Sequence, residues 1–481
     1  MIKKGWIVIL GLFTLFCINI INKQTFKKDL VMPAIITNAF RTYNADNFIA
    51  AFDTNKMYLM IGKADSWSGA DLRQYSTASP SDTSIPTPID TTSAPFVHHN
   101  DMIAAKLIST SDVSHVIKRT DWTSGTVYVE HNHLQDDQID QTFFVMTDQY
   151  NVYKCISNYG GTASTVKPTG QSSAIIETSD NYRWKFMYEV QQADVLKYVT
   201  TDWIPVKYLT SNDGTAQWTV QQAAVDGGLE HIDVTAGGTG YVNTHTGTAQ
   251  AGSSTTIQLA NSASTTDDIY NGMTVYISSG AGSGQLKTIT DYTGSSYTAV
   301  VSTWTTTPDS SSVYEVMPAI TISHGTETPI PNPLATARVS SVIGGVVKKV
   351  SMTATGAGTS GAYRYATATL TGGGGSGATL EPRISPKNGH GKNPKTELGG
   401  AYVMMNIRLV GTEGGDFTVG DDFRKVILIA NPLASGAAAT ATTYSGAELD
   451  DDSGEQIYVE YRAPINRASD QTEDVKLVVE F

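Results

Sequence analysis

Between about residues 216 and 400 the chain becomes a Gly-, Ser- and Thr-rich stretch in which short apolar runs alternate with glycine-containing turns. Residues 256–259, 273–278, 285–290 and 297–301 are such runs. They are too short for helices and long enough for strands, so this texture admits a β-sandwich, a small barrel or a β-roll. Gly237-Gly238-Thr239-Gly240-Tyr241 and the glycine run at 372–377 punctuate it like the borders of two related β units, although no true repeat is demonstrable.

The flanks read differently. Residues 33 to about 215 predict a mixed, mostly β region. It holds a short amphipathic helix with an acidic start over 45–53, carrying Phe48, Ile49 and Phe52, and an apolar strand over 57–61 that ends at Gly62. Pro80, Pro86, Pro88 and Pro95 make 76–95 a surface loop. Strands are expected over 126–130, 142–146 and 152–156. Tyr182, Trp184, Phe186 and Tyr188 alternate along 182–190 as a half-buried strand. After 401 the less Gly-rich texture returns, with strands over 404–410, 425–429, 456–461 and 475–481. The expected fold is mostly β with a minor helical part, and multidomain. Segments 32–215 and 401–481 close into one discontinuous outer body, and 216–400 is inserted as a β-rich domain. Residues 1–31 form an apolar extension outside the folded protein.

That extension carries a nearly unbroken apolar run over 6–21, flanked by Lys3, Lys4, Lys23, Lys27 and Lys28. A membrane span needs about 20 residues, and no small-residue cleavage site follows, so an anchor and a signal peptide both fit poorly. The favoured reading is upstream sequence joined to a chain that starts at Met32.

Composition removes several function classes. The net charge of −13 opposes a nucleic-acid groove. Charged residues are only 16 %, against roughly 25 % in ordinary domains, yet 23 Tyr, 13 Phe and 7 Trp demand a packed interior. Two cysteines, Cys17 and Cys155, supply neither a disulfide scaffold nor a cysteine zinc site. Cys155 sits in a strand-like run and reads as a buried thiol.

The chemical motifs are weak. Residues 356–361 spell G-x-G-x-x-G, but a strand pattern follows where pyrophosphate binding needs a helix N-terminus. Gly389-His390-Gly391-Lys392-Asn393 lacks the first glycine and the hydroxyl of a phosphate loop, and reads as a loop at a subunit contact. His131-Asn132-His133 has no supporting metal ligands, and His98-His99 has no nameable partner. Asp450-Asp451-Asp452-Ser453-Gly454-Glu455 places its Gly one position early for a calcium loop and has Tyr461 at the twelfth place, so it reads as a solvated turn. No catalytic residue, cofactor or metal is expected.

The C-terminal residues are more specific. The run from Ser453-Gly454-Glu455-Gln456-Ile457 through Tyr458-Val459-Glu460-Tyr461-Arg462 to Ala463-Pro464-Ile465, followed by Asp470-Gln471-Thr472-Glu473, resembles the end of the baseplate wedge protein of contractile-tailed, T-even-like bacteriophages, the gene product eight family. The resemblance extends to Ile429-Ala430-Asn431-Pro432-Leu433. It reappears at Thr37 with Phe40-Arg41-Thr42, Gly62-Lys63 with Trp67, Val116 to Arg119 with Asp121-Trp122, Val152 to Cys155, and Asp180, Tyr182, Trp184, Tyr188 and Glu189.

It implies a non-enzymatic, mostly β structural subunit that is made in the host cytoplasm and ends in the virion's tail baseplate. Such a subunit forms a homodimer and joins other wedge proteins, with no nucleic acid and no membrane for the mature chain. It rearranges by rigid-body motion on tail contraction. Along 457–462, Ile457, Val459 and Tyr461 alternate with Tyr458, Glu460 and Arg462. The second set is the candidate interface, because Tyr and Arg often anchor contacts.

Two other readings compete. One is a glycan-binding tail adhesin that uses the inserted domain, with Tyr241, Tyr270, Tyr276, Tyr292, Tyr297 and Trp304 as its aromatic surface. The other is a β-rich polysaccharide-degrading enzyme, whose carboxylate pair would be invisible in sequence.

Overall fold

A computed structural model describes residues 37–68, 79–88, 94–135, 138, 141–326, 328–410, 422–446, 448–451, 453–466 and 472–481. The apolar run over 6–21 and Met32 lie outside the described residues. The chain divides into two compact units. One takes the residues up to 117 with 193–206 and 399–481; the other takes 118–192 with 207–398.

In the first unit the helix Asn38–Thr54 starts at Thr37, whose hydroxyl accepts from the Phe40 N–H at 3.3 Å. It begins earlier than the apolar spacing of 45–53 indicates. Because it starts at Asn38, Asp46 falls in its middle and its first turn holds no acidic residue; the Thr37 hydroxyl cap serves a free backbone donor there. Five antiparallel strands lie in the order Thr443–Ser445, Met102–Leu107, Met57–Gly62, Phe423–Ala430 and Glu455–Ile465. A strand from near the N-terminus is thus paired with one from near the C-terminus, Met57 opposite Ala430.

A second sheet orders Thr472–Glu480, Tyr402–Val410, Val113–Lys118 and Trp203–Pro205. Leu59, Ile61, Val426 and Leu428 of the first sheet share one core with Val403, Met405, Leu477 and Val479 of the second and with Ala45 and Phe52 of the helix. The other face of the first sheet is covered too, where Tyr58, Met60, Ile427 and Ile429 pack with Ala439 and Leu449. Burial on both faces explains why 57–61 and 425–429 are unbroken apolar runs instead of alternating ones. The proline loop is docked as well as exposed: Asp82 accepts from Trp67 N–H and binds Arg424, while Pro95 lies inside a short helix, Ala94–Asn100.

In the second unit, Phe144–Met146, Asn151–Ser157, Arg183–Glu189 and Ile176–Glu177 form a sheet around Trp184, Tyr153, Tyr182 and Phe186. The expected strand over 126–130 is absent; Thr126 makes only an isolated bridge to Ser164, and the following residues run irregularly. Arg183–Glu189 is buried on both faces up to Tyr188, so it is more than the half-buried strand its alternation indicates. The face carrying Arg183 and Lys185 is closed by internal ion pairs instead of water.

Seven strands run in the order His245–Thr248, Val313–Met317, Thr274–Ser279, Leu286–Thr293, Thr298–Val301, Thr256–Gln258 and Ala251–Gly252. The first and last of these are separated by only Ala249 and Gln250. Thr248 and Ala251 are three Cα steps apart, at most about 11 Å, so the sheet must curl round on itself, as in a small barrel. Its core holds Val275, Ile277, Ile289, Tyr314 and Val316.

A further sheet orders Ala319–Ser323, Thr367–Thr371, Ser376–Ile384 and Leu229–Thr239, and a separate hairpin joins Thr336–Ile343 to Val346–Ala354. Ser376 lies opposite Thr239. The two glycine runs are therefore the same end of one ladder, not borders of two repeated units. No helix among the described residues is long and apolar enough to cross a membrane.

Candidate interface and buried charge network

The strand Glu455–Ile465 occupies an edge of the five-stranded sheet. Its place there tolerates Pro464, which has no N–H to donate; the strand runs one residue past it instead of stopping before it. Tyr458 packs partly against the sandwich core, and its hydroxyl donates to Glu460 Oε2 at 2.8 Å. Burial, and then that carboxylate, push the Tyr458 phenol above its ordinary value. Glu460 Oε1 lies 3.6 Å from Arg462 Nη1, and Arg462 is half exposed. The three candidate residues thus form one continuous row, with Arg462 outermost.

The neighbouring residue is held from behind. Trp67 packs at a tilt against Tyr461 with ring centroids 4.7 Å apart and donates its indole N–H to Arg462 O at 2.9 Å. Asp82 fixes this corner by accepting from Trp67 N–H at 3.0 Å and from Arg424 at 2.9 and 3.0 Å. The Arg424 guanidinium holds the Asp82 carboxyl down at about 2.

Several residues that carry the resemblance make joints of this kind. Arg41 binds Phe481 O at 2.5 Å and Glu480 at 2.6 Å. Asn431, at φ 49°, exchanges hydrogen bonds with the Lys56 backbone at 2.8 and 3.0 Å. Asp180 accepts from the N–H groups of Thr165 and Val166 at 2.7 and 2.9 Å.

In the second unit the structure assembles a network that sequence reading missed. Arg183 donates to Glu177 at 3.0 Å, to His231 Nδ1 at 2.8 Å and to Val350 O at 2.8 Å. Arg383 reaches Glu130 at 3.3 Å and Asp233 at 3.2 Å. Lys154 pairs with Glu397 at 3.3 Å, and Lys185 pairs with Glu230 at 3.5 Å. Burial raises Glu230 and Glu130, the latter also through the Asp233 carboxylate, and it lowers Lys154. The only sequence signal was charge inside apolar runs, as at Lys154 and Lys185, and that signal does not name partners.

Glu130, His231 and Asp233 offer ligand atoms within 4.8 Å of one another. The chemistry does not fit a metal. Arg183 donates to His231 Nδ1, which leaves the imidazole proton on Nε2, and the Arg383 guanidinium already bridges the two carboxylates. A groove of about 380 Å³ opens beside His231 and Asp233, but its Arg183 and Lys349 are both engaged by Glu177.

The weaker motifs become structural. After residues 356–361 the chain runs irregularly to the strand Thr367–Thr371, so no helix end awaits a phosphate, and the strand expected directly after the motif starts only at Thr367. Asp450 accepts from the N–H groups of Ser435 and Gly436 at 2.9 and 2.7 Å, which makes it a turn anchor; Asp452 lies outside the described residues. His390 is buried within its own unit, while Lys392 and Asn393 of the same loop are half-buried. Cys155 is a buried free thiol, pushed up by burial. Tyr241, Tyr270, Tyr292 and Trp304 are core residues, and Tyr276 lies under Arg338, its guanidinium 4.0 Å from the ring centroid. They form no exposed platform for a sugar.

Residues 412–481 match the family model described as Bacteriophage T4, Gp8. The matched span contains the edge strand and its row of Tyr458, Glu460 and Arg462. Over this segment the chain resembles the Gp8 baseplate wedge family. The N-terminal pieces of the likeness, from Thr37 to Glu189, lie outside the matched residues. No curated protein matches the chain.

Proposed function

We propose that this chain is a structural subunit of a phage tail baseplate wedge, made in the host cytoplasm and incorporated into the virion. The observation that carries the reading is the Gp8 match over 412–481, a span that supplies Phe423–Ala430, Glu455–Ile465 and Thr472–Glu480 to the two-sheet body. With Thr443–Ser445 these are four strands of a packed sandwich, which suits a part that bears load. The subunit pairs with a second copy, contacts other wedge proteins, and follows tail contraction by rigid-body motion. In this reading 32–215 and 401–481 are the wedge-type part of the sequence and 216–400 is an added β-rich region, with 118–192 and 207–215 packed in the same unit as that region. An edge strand whose Tyr-Glu-Arg row runs from the core margin at Tyr458 to the exposed Arg462 supports its use as a contact.

Size-exclusion chromatography with light scattering on the full chain tests the pairing. The expected result is a dimer mass of about twice 51.5 kDa. A strict monomer at high concentration contradicts it.

A further inference from the structure

The sequence Gly389-His390-Gly391 is forced into the second unit by its neighbours. Gly389 has φ 96° and a Cβ there would meet the Val225 backbone at 2.4 Å; Gly391 has φ 81° and a Cβ there would meet Val220 Cγ1 at 2.4 Å. Only glycine fits either position, so the loop can pass close enough to bury His390. The His390 ring meets His131 edge to face at 4.5 Å, and both imidazoles are almost fully enclosed. His131 Nε2–H donates to Ile384 O at 3.2 Å. His390 Nδ1 has no hydrogen-bond partner and lies 3.8 Å from Glu397 Oε2.

The charges around this pair come from four elements. Lys154 projects from Asn151–Ser157, Lys185 from Arg183–Glu189, Glu230 from Leu229–Thr239 and Glu397 from the short helix Pro394–Glu397. Lys154 holds Glu397, and Lys185 holds Glu230. Both carboxylates are therefore already matched by an ammonium, and a third cation has no counterion waiting. Burial first, then Lys154 and the partner ring, hold His131 in its neutral form; burial, then Lys154 and Lys185, do the same for His390.

We propose that His131 and His390 form an acid-operated latch: while both are neutral the 386–393 loop and the helix Pro394–Glu397 stay closed, and protonation of the imidazoles releases them. With both ring nitrogens protonated, the Nδ1–H of cationic His390 competes with Lys154 for Glu397. The added charge repels Lys154 and Lys185, and the cheaper solution is for the loop to swing out and hydrate the imidazoles. The closed form excludes protons that the open form takes up below about pH 6.5, so falling pH favours opening. One excluded proton raises the opening constant about 30-fold between pH 7.5 and 5.0, and two raise it about 1000-fold.

Hydrogen–deuterium exchange mass spectrometry on the full chain, corrected for intrinsic rates, reads this directly. Peptides covering 386–398 are expected to gain exchange steeply from pH 7.5 to 5.0, while Phe423–Ala430 stays protected. The slope should shrink in His390→Gln and vanish in the His131→Gln, His390→Gln double variant. A flat profile in the native chain, or an undiminished slope in the double variant, overturns the proposal. Exchange at the histidine C2 position of the unmodified protein gives a test independent of whether the variants fold. Both imidazoles should resist protonation until the loop opens, and ordinary titration near pH 6.5 with the loop still protected overturns the latch.

Discussion

Arg183 shows what a single buried side chain does here. Its three donors tie Glu177, His231 and Val350 O together, joining three strands of the second unit. Arg183→Met removes all three bonds and strands the carboxylate and the imidazole, so it should cost about 3–5 kcal/mol in urea unfolding. Arg183→Lys should recover little, because an ammonium cannot reproduce the planar fork. His98, in the first unit, is lowered to about 3 by burial and then by Lys425. It is neutral when folded and charged when unfolded below about pH 6.5. Stability should therefore fall as pH drops through that value, by up to about 1.4 kcal/mol per unit, until about pH 3. Unfolding curves at several pH values should show a shallower fall for His98→Gln. Neither role was legible beforehand. Arg183 lies on the face that a half-buried strand would leave to water, and the dipeptide His98-His99 carries no sign of Lys425, which is distant in sequence and near in space.

At the scale of elements, apolar period was a good guide where one strand was buried on a regular pattern. Residues 152–156, 273–278, 404–410 and 425–429 fall within a residue or two of observed strands. It failed at 126–130, where Tyr128 is buried but the backbone bonds leave the ladder, Tyr128 N–H facing the Tyr182 hydroxyl at 3.3 Å. Side-chain pattern records burial, and it does not record where N–H groups go. The edge strand Glu455–Ile465 was readable as a strand but not as an edge, because strand order depends on distant partners. Its outer row gives a clean separation of folding from contact. Arg462→Glu removes one loose, half-exposed ion pair, so unfolding should shift by less than about 1 kcal/mol. Under the proposed function the same substitution should weaken dimerisation at least tenfold in sedimentation equilibrium.

For the whole molecule, the mostly β character followed from the short runs and from the scarcity of charge, and the C-terminal likeness was carried by a contiguous string of residues. The pairing of Met57–Gly62 with Phe423–Ala430 has no local signature; two similar apolar runs do not say that they are neighbours. The curl of the seven-stranded sheet was likewise one of several options that short strands allow. Under the proposed function this chain is part of a tail baseplate. A cryo-EM reconstruction of the intact particle tests it most directly. Density for the sheet of Met57–Gly62, Phe423–Ala430 and Glu455–Ile465 is expected within the baseplate wedges, in contact with other subunits. A complete baseplate in which this chain has no density would contradict it.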